Sequence, residues 1–135
     1  MSGETHLATL LTQMKPVMLA QEFIFCTTSL PPESWLKLAP LATFIESEGT
    51  TLVLTKAAAQ QAGFHAELAM RCITLQVHSS LQAVGLTAAV AGALTQENIS
   101  ANVIAGYYHD HIFVPAQDAN SALQAIEQLA TQHRE

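Results

Sequence analysis

The chain is short of positive charge. Its 135 residues include five basic ones, Lys15, Lys37, Lys56, Arg71 and Arg134, scattered along the chain against eleven acidic residues. A formal net charge of −6 without a basic cluster argues against nucleic acid and against an anionic membrane surface, because both partners require grouped Lys and Arg. Charge of either sign is scarce, at 12% of residues, while half of the chain is apolar. That balance supports a buried core and is the opposite of a disordered composition. Cysteine is nearly absent. Cys26 and Cys72 stand apart with no CxxC spacing, so both read as small buried apolar side chains in a reducing compartment. The opening stretch MSGETHLATLL lacks the basic segment and apolar core of a secretory signal. The longest weakly polar run, AVGLTAAVAGAL, is too short to cross a bilayer and is interrupted by Thr87. A soluble, cytoplasmic protein is expected. No phosphate-binding loop, dinucleotide fingerprint or nucleophile elbow occurs, and neither cysteine has a base in a recognisable arrangement nearby.

What is present is periodicity. RCITLQVHSS alternates Ile73, Leu75 and Val77 with Thr74, Gln76 and His78, the pattern of a half-buried strand. Leu86, Ala89, Val90, Ala93 and Leu94 then fall on one stripe of a helix, and Asn98 suits the left-handed residue that ends it. ISANVIAGYY reads as a strand with Ile99, Ala101, Val103 and Ala105 on one face, and HIFVP as a short buried strand. Asp118 is placed to cap a last helix carrying Ala122, Leu123, Ile126, Leu129 and Ala130. The order is β-α-β-β-α.

The front half repeats part of this. EFIFCTTS is a strand, LATFIESEGTTLVL a hairpin around Glu48 and Gly49, and Thr55 caps a short helix, KAAAQQA, that Gly63 ends. The connection SLPPESWLKLAP has three prolines and excludes a long regular helix, so the first copy has an irregular one. A helix over HLATLLTQMK precedes both copies, with Ser2 or Thr5 as cap. Two such copies, 1–67 and 68–135, predict an α+β chain of tandem ferredoxin-like units, antiparallel sheets with helices on one face, sharing a core.

Five pieces extend this beyond pattern: SGETHLATLL with MKPVM, EFIFCT, ATFIESEGTTLVL, ITLQVHSSLQAVGLTAAVA and NVIAGYYHDHIFVP. Together they resemble a bacterial family of short, stand-alone tandem ACT-domain proteins with no assigned activity, and VGLTAAVA followed by AGYYHDH is the most specific part. The resemblance implies a non-enzymatic regulatory protein, without cofactor, that binds a small ligand where ACT units pair. It implies an amino acid as that ligand and a homodimer as the assembly. The positions matching the family's ligand-binding part are Val84, Gly85, Leu86 and Thr87 before the helix and Ser100, Ala101, Asn102 and Val103 on the following strand. The first copy has no glycine at the matching helix start, so an equivalent second site is not implied.

The residues suit such chemistry. Gly85 between strand and helix lets a ligand approach the backbone, where first-turn N–H groups attract an anion without any basic side chain. Gly85 reads equally as a plain tight turn. Asn102 faces away from Ala101 and Val103 and has an amide to offer a ligand, or to offer water. The helix's back face, Ala88, Ala91, Gly92 and Thr95, is small enough for close packing of another element. Two alternatives stand beside the regulatory reading: an interaction module without ligand, and a small metal-dependent enzyme using the HDH hairpin. His109 and His111 would share a face on a continuous strand, but a turn at Asp110 breaks that face, and His78 falls at the opposite end. Tyr107 and Tyr108 alternate, one to the core and one outward. Glu46 and Glu48 share a strand face, a carboxylate pair more typical of a solvated hairpin than of acid–base work.

Overall fold

A computed structural model describes residues 6–65, 67–77 and 83–132. His78, Ser2 and Thr5, given roles above, lie outside these residues. The elements are α1 (Leu7–Thr12), β1 (Pro16–Thr28), β2 (Ala42–Glu46), β3 (Gly49–Thr55), α2 (Lys56–Gln61), β4 (Met70–Leu75), α3 (Leu86–Gln96), β5 (Asn102–Ala105), β6 (Asp110–Pro115) and α4 (Ala119–Gln132). The fold is α+β with antiparallel hairpins, and it divides into two compact units. One is Met1–Ala20 with Arg71–Glu135, the other Gln21–Met70. Packing therefore partitions the chain differently from the sequence copies 1–67 and 68–135: α1 belongs with the elements after residue 70.

In the discontinuous unit the strands follow the order β1-β4-β6-β5. Helices α1, α3 and α4 cover one face. Leu10, Leu11 and Met14 pack with Ile73 and Leu75 of β4, Leu86, Val90 and Leu94 of α3, Ile112 and Val114 of β6, and Ala122, Ile126 and Ala130 of α4. The two helical stripes expected from the sequence are thus the buried ones. Asn98 has φ +58° and lets the chain turn back after α3. Asp118 stands immediately before the last helix, at the end of a short 3-10 turn, Ala116–Asp118, that runs directly into α4. The strand expected over ISANVIAGYY is shorter, because β5 starts at Asn102 and ends at Ala105, which is exposed.

In the unit Gln21–Met70 the order is β2-β3-β1. Ile24, Leu52, Leu54 and Ala59 form a small core, flanked by Trp35, Leu38 and Phe64. The proline-rich connection makes two 3-10 turns, Pro32–Ser34 and Leu36–Leu38, in place of a helix. Thr55 caps α2 as expected, its Oγ1 accepting the Ala58 N–H at 3.2 Å, and Gly63 follows α2 with φ +83°. The hairpin turn is Ser47–Glu48, since Glu46 already pairs with Gly49. A Cβ on Gly49 would lie 2.9 Å from Thr27 Oγ1 and 3.1 Å from the Thr28 carbonyl, so glycine is required by space. Strand β1, expected over residues 22–29, instead runs from Pro16 to Thr28.

Candidate functional site

The segment 84–87 forms the start of α3. Gly85 has φ +102°, a conformation that L side chains avoid, and it stands at the N-cap with no side chain accepting a hydrogen bond. The first helical bond runs from the Ala89 N–H to the Gly85 carbonyl at 2.8 Å. The amides of Leu86, Thr87 and Ala88 precede it and have no partner within the helix. Leu86 is buried in the core, while Val84 and Thr87 are exposed. Leu7 of α1 covers the turn: a Cβ on Gly85 would meet Leu7 Cδ2 at 3.1 Å.

The segment 100–103 follows the other end of α3. Ala101 and Val103 pack toward the helix-covered core. Asn102 is exposed and pairs with Phe113 across the ladder, so it faces away from those two residues as the alternation predicts. Within one chain, the 11-residue α3 stands between the two segments, a length of about 16 Å. The small residues of the α3 back face separate: Ala88 and Gly92 line a groove of about 330 Å³ between α3 and α4, with Ala93, Ala125 and Leu129. A Cβ on Gly92 would meet nothing there.

The HDH stretch is built differently from its sequence reading. The turn falls on Gly106–His109, closed by the Gly106 N–H donating to the His109 carbonyl at 2.9 Å. Asp110 is already in β6, opposite Ala105, and 9% exposed. Strand pairing draws it inward where its polarity suggested a turn. His109 therefore sits in the turn and His111 in the strand. Among the described residues, no group of three His, Cys, Asp or Glu side chains is placed to hold a metal ion. Both Tyr107 and Tyr108 are exposed, at 61% and 63%, so neither enters the core. Their rings meet edge-to-face at 5.1 Å, on a turn long enough to carry them outside the sheet. Glu46 and Glu48 do not share a strand face, because Glu48 lies in the turn. The Thr51 and Ser47 hydroxyls donate to them.

A cross-strand contact went unseen in the sequence. Thr74 Oγ1 of β4 lies 3.0 Å from His111 Nδ1 of β6, and Cys72 Sγ is 3.9 Å from Thr74 Oγ1. Burial, and next the neighbouring His109, hold the His111 imidazole below its ordinary value, against the pull of Asp110. Burial raises Asp110, against the pull of His111 and His109. Burial pushes the Cys72 thiol up to about 11, so it stays protonated at neutral pH and is a poor nucleophile. Burial also raises Cys26. The expected outward face of β4, at Thr74, is in fact half-buried against β6.

The family comparison agrees with this architecture. The sequence matches the ACT domain over residues 2–71 and again over residues 67–128. The chain belongs to the ACT-domain family. A crystal structure of a Vibrio cholerae protein of unknown function, described as a possible transport protein, is 55% identical, with a TM-score of 0.82 over 87% of this chain and 91% of that one. An Agrobacterium tumefaciens protein shares the fold at 14% identity, with a TM-score of 0.66 over 85% of this chain and 87% of its own. The regulatory subunit of aspartate kinase from Thermus flavus does so at 11% identity, with a TM-score of 0.62 over 84% and 95%. No curated protein matches the sequence. Tandem ACT domains are regulatory, non-catalytic modules with a ferredoxin-like fold, and membership supports a regulatory, ligand-binding role. Among the described residues, no helix is long and apolar enough to cross a membrane.

Proposed function

We propose that this ACT protein is a non-enzymatic cytoplasmic regulator, two ACT copies over 1–67 and 68–135, working as a homodimer that binds a free amino acid at an interface between ACT units. The observation that carries the reading is the start of α3, where a left-handed, uncapped Gly85 leaves the amides of Leu86, Thr87 and Ala88 without partners inside the helix. Those amides and the helix dipole attract a carboxylate, which suits a chain with five basic residues. Val84 and Thr87 flank the ligand, and Ser100, Ala101, Asn102 and Val103 of a neighbouring unit complete the site, with the Asn102 amide bonding the ligand's amino or carboxylate group. Because α3 separates the two segments within one chain, a ligand small enough to be an amino acid meets both only where units pair.

A thermal-shift screen of the purified protein against the amino acids tests this. A ligand at about a hundred times its dissociation constant adds roughly 2.7 kcal/mol, a rise of roughly 10 °C for a chain of this size. Gly85 is a poor probe, because any side chain there is strained and strikes Leu7. Asn102→Ala, at an exposed position, is expected to keep the fold and abolish the response. Silence across the whole set, or an undiminished response in Asn102→Ala, removes this assignment.

A further inference from the structure

The proline-rich connection between β1 and β2 is stitched to itself and barely to its surroundings. The Ser34 and Trp35 N–H groups donate to the Pro31 and Pro32 carbonyls, and the Leu38 and Ala39 N–H groups to the Trp35 and Leu36 carbonyls, all at 3.0–3.1 Å. The Ser34 hydroxyl adds a bond to the Pro31 carbonyl at 2.7 Å. Ties to the sheet begin only outside this stretch, where the Leu41 N–H donates to the Val53 carbonyl at 2.8 Å and Thr28 pairs with Thr50. Among the described residues, no hydrogen bond or ion pair joins residues 31–40 to the rest of the chain. Two side chains do the fastening: Trp35 and Leu38 pack on the small core of Ile24, Leu52, Leu54 and Ala59. Leu30 and Leu36 point the other way, 59% and 62% exposed.

The closed arrangement works against itself at two points. The Trp35 indole Nε1 is buried, and no acceptor among the described residues takes its N–H. A buried donor without a partner forfeits the hydrogen bond that water would give it in the open. Ala39 has φ +51° and ψ +59°, the left-handed region that a residue with a Cβ seldom enters. Lifting the connection hydrates the indole and frees Ala39 to relax. Only the apolar packing of Trp35 and Leu38 opposes that movement.

We propose that residues 31–40 form a strap, shut over the small core of the unit Gln21–Met70 in this structure, that lifts as one piece while the strands β2-β3-β1 stay paired. Its ends are fixed, because Thr28 and Leu41 are already held by the ladder. Prolines 31, 32 and 40 keep it from being absorbed into either neighbouring strand. Opening brings Trp35 and Leu38 into solvent and uncovers Ile24, Leu52, Leu54 and Ala59, an apolar patch that the closed form hides. The strap is thus a switch of exposed apolar surface, and segments that move in regulation are drawn from the least stable parts of a fold. It stands where the other copy carries the regular helix α3, so the two copies differ there in mobility as well as shape. The strap lies wholly in the unit Gln21–Met70 and does not depend on the ligand assignment at α3.

Hydrogen exchange of the Trp35 indole N–H, read by NMR on the full chain, tests the strap directly, because the chain has one tryptophan. That N–H is shielded from water, so its exchange requires an opening. A lifting strap exposes little surface, so the indole rate is expected to be nearly flat in dilute denaturant. The Leu52 and Leu54 amides of β3 are expected to exchange more slowly, through larger openings that denaturant promotes steeply. Leu38→Ala removes one of the two fastening side chains and is expected to raise the indole rate at least about tenfold, with the β3 amides still protected. Leu36→Ala, at an exposed position, is expected to change the rate by less than about threefold. An indole N–H that exchanges only together with the β3 amides, with the same denaturant dependence, overturns the proposal. So do equal responses to Leu38→Ala and Leu36→Ala, or β3 amides that speed up as much as the indole in Leu38→Ala.

Discussion

The hairpins β2–β3 and β5–β6 are equivalent in the two sequence copies, and each ends on a strand that closes a sheet order. Their chemistry is nearly inverted. In β2–β3 a two-residue turn joins a five-pair ladder, and Phe44 and Ile45 point into solvent. In β5–β6 a four-residue turn joins a four-pair ladder, and the polar side chains Asp110 and His111 are drawn in beside Ile112, Phe113 and Val114. One copy exposes its apolar residues and the other buries its titratable ones. Equivalent placement in a fold fixes the backbone path; it does not fix which face of a strand has to be oily. That is set by what covers each strand.

The largest effect should separate two phenylalanines. Phe113 is 1% exposed, so Phe113→Ala is expected to cost about 3–5 kcal/mol in denaturant unfolding. Phe44→Ala, measured at low protein concentration, should cost about 0.5 kcal/mol or less. Equal losses would break the contrast between the hairpins. A second, smaller difference lies in their glycines. Gly49→Ala drives a methyl to 2.9 Å from Thr27 Oγ1 and 3.1 Å from the Thr28 backbone, and should cost about 1–3 kcal/mol. Gly106→Ala meets the His109 carbonyl at 3.0 Å and His111 Nε2 at 3.3 Å. The four-residue turn can give there, so a loss below that of Gly49→Ala is expected in the same assay.

The smallest effect is on pH, and in the β5–β6 hairpin it comes from two side chains, His111 and Asp110. Because the folded His111 titrates below about 6.5, the unfolded chain takes up that proton first as pH falls. The stability from neutral His111 is then complete above about 6.5 and is lost as pH drops through the lower folded value. Asp110 acts with the opposite sign: its folded carboxyl titrates above about 3.9, so stability falls as pH rises from there through the raised folded value. Imidazole titration by NMR checks the first statement, and a His111 midpoint at or above 6.5 would refute it. Denaturant unfolding of Asp110→Asn against the native chain checks the second, since the mutant should lose that fall between acid and neutral pH.

Much of the architecture was legible because its causes are local. The stripe Leu86, Val90, Leu94 and the stripe Ala122, Ile126, Ala130 repeat at helical spacing, and both are buried. Thr55 caps through a bond three residues away, and proline suppresses a helix wherever it stands. The candidate ligand turn was legible for the same reason, since a glycine between strand and helix announces its backbone need. What failed to show was non-local. Pro16–Ala20 carries no alternation, so half of β1 was invisible in MKPVMLA. Asp110 has the composition of a turn, and only its pairing with Ala105 moves the turn to 106–109. Thr74 and His111 are 37 residues apart, and Leu7 reaches Gly85 from a helix far earlier in the chain. No spacing rule connects either pair.

The discontinuous unit sets an order of events on the ribosome. Leu10, Leu11 and Met14 emerge first, yet their partners Ile73, Leu75, Leu86, Val90 and Leu94 are made after the whole of Gln21–Met70. At about 5–20 residues per second, the apolar face of α1 waits roughly 4–15 s for a surface to land on. For that interval the nascent chain displays a sticky amphipathic segment whose apolar partners have not yet been made.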